Sequence, residues 1–71
     1  ALTYLDCSNN NITEIDVTQN INLTSLYVWN NEITEIDVAQ NINLEFLSIT
    51  GNELTEINPP ELSNFIPIKI F

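Results

Sequence analysis

Histidine and arginine are both missing from this sequence, and a single lysine faces ten aspartates and glutamates, for a formal net charge of -9. Phosphate contacts need a basic surface, so a nucleic-acid partner is excluded, and binding to anionic lipid is disfavoured on the same ground. Without histidine the commonest general base is gone, and with it any Ser-His-Asp triad. One cysteine cannot close an internal disulfide or, with no histidine, assemble a usual zinc site. The apolar residues, 44% of the chain, are scattered. No run is long enough to span a bilayer, and none has the shape of a signal peptide. No cofactor and no enzyme activity is expected. At 71 residues the chain is shorter than the about 100–150 of a common single domain.

What is present is repetition. Residues 2–22 read LTYLDCSNNNITEIDVTQNIN, residues 23–43 LTSLYVWNNEITEIDVAQNIN and residues 44–64 LEFLSITGNELTEINPPELSN; residues 65–71, FIPIKIF, open a fourth unit. The period is 21 without insertion or deletion, and the first two units agree at 15 of 21 positions. Each complete unit fits L-x-x-L-x-L-x-x-N-x-L, with apolar residues at all five hydrophobic places and asparagine at the ninth. In the fourth, Phe65, Ile68 and Ile70 take the places of Leu2, Leu5 and Cys7. A period of 21 is also three heptads. A coiled coil pairing the row of Leu5, Ile12 and Gln19 with that of Leu2, Asn9 and Asp16 would bury Asn or Asp where its seam needs apolar side chains. The Asn pairs and the β-branched Ile-Thr-x-Ile segments oppose helix as well.

The Leu-x-Leu alternation predicts strands with one buried face near Tyr4–Ser8, Ser25–Trp29, Phe46–Thr50 and Pro67–Phe71. Stacked in parallel, about 4.8 Å apart, they would align Leu5, Leu26, Leu47 and Ile68 in one inner column and Cys7, Val28, Ile49 and Ile70 in the next. Asn10, Asn31 and Asn52 sit where the chain leaves each strand. The turn there leaves backbone N–H and C=O groups facing inward, and an amide side chain offers both donors and acceptors to meet them. Asn20 and Asn41 suit the second corner in the same way, and Leu62 interrupts that column. The return segments Ile12–Val17, Ile33–Val38 and Leu54–Asn58 also alternate, with Ile12, Ile15 and Val17 inward and Thr13, Glu14 and Asp16 outward. They are too short for an amphipathic helix, and Pro59-Pro60 ends the third.

This unit resembles the leucine-rich-repeat family, over essentially the whole chain. The form L-x-x-L-D-C-S-x-N-x-I-T-x-I-D-V is similar to the short, 21-residue, cysteine-bearing class of bacterial surface proteins that includes some internalins. Cys7 alone keeps the cysteine column, since Val28 and Ile49 replace it. The resemblance implies a mostly β, right-handed solenoid with a short parallel sheet on its concave face and extended or 3₁₀ convex segments. It also implies a noncatalytic protein-interaction module, secreted or displayed on the bacterial cell surface.

The outward strand positions are the third, fifth and seventh of each unit. They hold Tyr4, Asp6 and Ser8, then Ser25, Tyr27 and Trp29, then Phe46, Ser48 and Thr50, then Pro67, Lys69 and Phe71. The first two units differ at only six positions, and these three are among them. A fixed frame with a varied outer face is the pattern of a binding surface, although exposed positions also tolerate change. Exposed aromatics are frequent hot spots; stacking across neighbouring strands is the plainer alternative. The expected ligand-binding residues are Tyr4, Asp6, Ser8, Tyr27, Trp29, Phe46, Ser48, Lys69 and Phe71, and the expected ligand is a protein or a glycan. The rival reading is a structural spacer with no ligand of its own.

The acidic residues also fall into rows: Glu14, Glu35 and Glu56; Asp16 and Asp37; Glu32 and Glu53. Stacked carboxylates repel, and a hard cation such as Ca²⁺ would relieve that. No Asp-Gly calcium loop is present, so a solvated face with no metal is the expectation. Cys7 lies at an inward position and is expected to behave as a small hydrophobe. End coils of a solenoid need polar caps, and Leu2 and Phe71 are not caps. The chain is therefore expected to be part of a longer array, or else to stack end to end on another copy.

Overall fold

The computed structural model describes residues 1–60 and 68–71. Six short strands are present among them: β1 (Tyr4–Asp6), β2 (Ser25–Tyr27), β3 (Glu35–Asp37), β4 (Phe46–Ser48), β5 (Glu56–Asn58) and β6 (Lys69–Ile70). No helix occurs among the described residues. Strands β1, β2, β4 and β6 form one parallel sheet in that order, and β3 and β5 pair in parallel to form a second. In the second and third units the chain thus passes from the first sheet to the second, while the return segment of the first unit forms no strand; this is the mostly β solenoid that the repeat implies.

The period sets the register. Tyr4, Ser25 and Phe46 are successive partners, as are Leu5, Leu26 and Leu47, and Asp6, Tyr27 and Ser48. Pairing continues beyond the strands: the Cys7 N–H donates to the Tyr27 carbonyl at 2.9 Å, Asn9 to Trp29 at 3.0 Å and Asn30 to Thr50 at 2.9 Å. Between the two sheets lies the core. Leu26, Val28 and Leu47 enter from the first sheet line, and Val17, Ile33, Ile36 and Val38 from the return segments. Leu23 and Leu44 close the corner at each strand entry. Two successive turns make that corner, with i to i+3 bonds from Asn20 N–H to the Val17 carbonyl and from Leu23 N–H to the Asn20 carbonyl, repeated at Asn41 and Leu44.

Cys7 departs from expectation. It is half-buried, because it continues the edge strand β1 and is covered on one side only, by the second unit. Burial, reinforced by the Asp6 carboxylate, pushes its thiol above the ordinary value, so it stays protonated and unreactive near neutral pH.

The fourth unit departs as well. Leu47 is the register partner of Ile70, not of Ile68, and Phe46 is the partner of Lys69. The expected strand Pro67–Phe71 is reduced to Lys69–Ile70, and Pro67, like Phe65 and Leu62, lies outside the described residues. The chemistry of proline accounts for the shift. An offset of 21 would set Pro67 where an N–H must donate to the Glu45 carbonyl, and proline has none. A slip of two residues brings the Lys69 N–H there instead, at 2.8 Å. Because two is even, the inward and outward faces are preserved. Ile68 still packs against the core.

The eighth position of every complete unit is left-handed: Asn9 has φ 60°, Asn30 φ 56° and Gly51 φ 77°. Asparagine and glycine are the residues that tolerate this conformation, so the pairs Asn9-Asn10, Asn30-Asn31 and Gly51-Asn52 each combine a left-handed hinge with a ladder asparagine. A β-carbon at Gly51 would collide with Asn30 Oδ1 and lie 3.2 Å from the Asn30 backbone nitrogen. Gly51→Ala is therefore expected to lower stability by about 1–2 kcal/mol in a urea melt, the usual cost of a left-handed alanine. Adding Asn30→Gly should recover part of that loss. A stabilising Gly51→Ala, as stiffening of the unfolded chain alone would produce, would contradict the hinge.

Candidate functional site

The amide ladder occupies the strand exits. Asn31 Nδ2 donates to the carbonyls of Val28 (2.9 Å) and Cys7 (3.2 Å), and its Oδ1 accepts the Ile12 N–H at 3.1 Å. Asn52 repeats the pattern with Ile49, Val28 and the Ile33 N–H. Asn41 serves the second corner, donating to the carbonyls of Val17 and Asn20. The amide donors are spent on backbone, and Asn41 Oδ1 is buried without a hydrogen-bond partner among the described residues, which leaves the first sheet's outer face as the candidate for recognition.

That face is aromatic and open. Tyr4 is 56% exposed, Trp29 36% and Phe71 61%, while Tyr27 and Phe46 are half-buried among their neighbours. Tyr4 and Tyr27 lie diagonally across the β1–β2 pair, with ring centroids 5.4 Å apart and planes tilted by 52°. Such a pair is favourable in itself, so part of the aromatic content serves the sheet. Lys69 Nζ stands over the Phe46 ring, 5.7 Å from its centroid, a cation–π distance. This contact exists because of the two-residue slip, which moved Lys69 from the row of Ser48 to that of Phe46. Phe71 moves with it: its N–H donates to the Leu47 carbonyl and its carbonyl accepts the Ile49 N–H, both at 2.8 Å.

The remaining expected residues divide. Asp6 is exposed and directly opposite Tyr27; its Oδ1 accepts the Ser8 N–H at 3.0 Å. Ser48 is half-buried between strands β2 and β6. The Ser8 hydroxyl is buried without a hydrogen-bond partner among the described residues, so it is not presented to solvent. The adjacency of Asp6 to Tyr27 was available in the sequence, since the two are 21 residues apart, but it shows only when strand partners rather than single strands are read.

Two grooves lie elsewhere. One of about 380 Å³ crosses the strand entries and is lined by Thr3, Thr24 and Glu45 with Asn22 and Asn43. The other, about 270 Å³, runs beside the second sheet and is lined by Glu14, Glu35, Glu56 and Asp37 with Asn58. Asp16 does not line this groove. Asp16 instead accepts the hydroxyl (2.6 Å) and N–H (2.9 Å) of Thr18, which hold its carboxyl below the ordinary value. Among the described residues no group of three or more Cys, Asp or Glu is placed to hold a metal ion.

A family described as Leucine Rich repeats (2 copies) matches residues 1–41 and, in a second alignment, residues 21–64. No curated protein and no solved structure matches the chain.

Proposed function

The chain belongs to the leucine-rich-repeat family, and from that membership we propose that it is a noncatalytic interaction module whose four-stranded sheet takes a protein ligand on its outer face. Repeats of this family generally mediate protein interaction. One observation carries the assignment to this face: the first two units differ at six positions, all three outward strand positions are among them, and most of the residues there are aromatic or charged. A short rigid sheet holds Tyr27, Trp29 and Phe46 in place before the partner arrives, so little conformational entropy is lost on binding. We place the protein outside the bacterial cell, on the support of its short cysteine-bearing unit. A net charge of -9 works against end-to-end stacking of copies.

The test is a double substitution, Tyr27→Ala with Trp29→Ala. A partner captured from extracellular or surface proteins and identified by mass spectrometry would be titrated against both forms. The expected result is an affinity loss of at least about tenfold, typical of paired aromatic hot spots, with an unchanged far-ultraviolet circular dichroism spectrum. Equal affinity would favour a spacer that presents neighbouring domains. Binding of a glycan array in place of any protein would change the ligand class while keeping the face.

A further inference from the structure

We propose that Tyr4, Asp6 and Tyr27 form a subsite for an arginine side chain on a basic protein ligand, a proposal that rests on the sheet-face reading above. The three residues make a triangle that the register dictates. Tyr4 and Asp6 are two apart on β1 and share its outer face; Asp6 is the direct partner of Tyr27; and Tyr27 reaches diagonally back to within 5.4 Å of Tyr4, ring to ring. A carboxylate thus stands beside two aromatic rings on an open surface. Asp6 spends one oxygen on the Ser8 N–H, and the other has no partner among the described residues.

A guanidinium fits this arrangement in two ways at once. Its plane stacks on a tyrosine ring, and its fork of N–H groups meets a carboxylate. A lysine ammonium, compact and strongly hydrated, does only part of this. The same face already holds one cation over one ring, Lys69 over Phe46. That lysine is the only basic side chain in the sequence, so the Tyr4–Tyr27 pair has no cation of its own to take. The charge of the whole molecule points the same way. At -9 its field draws basic partners in and turns acidic ones away.

The experiment uses the ¹⁵N-labelled chain and three short peptides that alternate glycine with arginine, lysine or citrulline, titrated at about 0.15 M salt to screen diffuse attraction. With the arginine peptide, amide shifts should cluster at Asp6 and Tyr27. Asp6→Asn, which keeps an acceptor for the Ser8 N–H, and Tyr27→Leu should each weaken binding by about tenfold, the scale of a charge-assisted contact. Glu35→Gln, on the other sheet, should weaken it less than about twofold, as a screened surface charge does. The lysine peptide should bind more weakly and the citrulline peptide, equal in shape but uncharged, not at all. Equal losses in Asp6→Asn and Glu35→Gln would overturn the subsite in favour of diffuse attraction. Equal binding of the citrulline peptide at the same amides would overturn it while leaving the sheet face as the ligand surface. Shifts confined to Glu14, Glu35 and Glu56 would overturn the subsite and count against the face itself. No shift with the arginine peptide would overturn the subsite alone, because the Tyr27→Ala/Trp29→Ala titration judges the face independently.

Discussion

Leu26→Ala should cost about 3–5 kcal/mol, the upper part of the range for a leucine truncated in a packed core. Leu26 is 0% exposed, on a central strand, with Leu5 and Leu47 aligned on either side of it. It belongs to a core of residues that are themselves buried, so the cavity has little means of collapsing. For 71 residues the whole stability is about 4–11 kcal/mol at about 0.05–0.15 kcal/mol per residue, and the variant should be marginal or unfolded at room temperature. Leu5→Ala, at the half-buried edge strand, should cost roughly 1–2 kcal/mol, because less apolar surface is withdrawn from water there. Urea melts followed by Trp29 fluorescence would measure both, with Leu26→Val as a milder probe should the alanine form not fold. Equal costs at Leu5 and Leu26 would contradict a core centred on the second unit.

Asn31→Ala should cost about 3 kcal/mol, against about 1 kcal/mol or less for Asn10→Ala, and the difference lies in what each leaves behind. Asn31 is 6% exposed. Its removal strands the part-buried Ile12 N–H, which has Asn31 Oδ1 as its acceptor, and an orphaned donor costs about 1–3 kcal/mol. The carbonyls fare better: Val28 keeps Asn52 Nδ2, and Cys7 keeps Asn10 Nδ2. The rest of the loss is the broken bonds themselves, at about 0.5–1.5 kcal/mol each. Asn10, in contrast, is exposed and only donates, to Cys7 and Ser8 of its own unit. Water can take its place. Asn31→Asp makes the argument sharper. It keeps the acceptor for Ile12 but turns a carboxylate toward the carbonyls of Cys7, Val28 and Trp29, so it should be no less damaging than alanine. Chemical denaturation of the three variants would decide; an Asn31→Ala loss equal to that of Asn10→Ala would mean that the ladder contributes little.

Leu26 and Asn31 were legible as structural from the repeat alone, because each inward column recurs every 21 residues and the first three units stack in that register. The same repetition exposed Asn31 and Asn52 as rungs. The left-handed hinge was present in the sequence too, as Asn9, Asn30 and Gly51 in one column, but it was hidden behind the ladder asparagine that follows each of them. The difference between Asn10 and Asn31 was not legible. Their sequence contexts are nearly the same, and only position within the stack makes one exposed and the other buried.

The period of 21, with its leucine and isoleucine columns and strand-exit asparagines, by itself determined the solenoid, its concave line of strands and the face turned outward. Local alternation and stacking of like on like leave no other way to bury those side chains. Tertiary structure decided the rest: the two-residue slip that seats Lys69 over Phe46, the pairing of Glu35 with Glu56 and Asp37 with Asn58 in a second sheet, and the diagonal contact of Tyr4 with Tyr27. Each depends on which groups can reach one another across strands once hydrogen bonds are made. A proline that cannot donate one, or a ring that leans toward its diagonal neighbour, settles that in space and not along the chain.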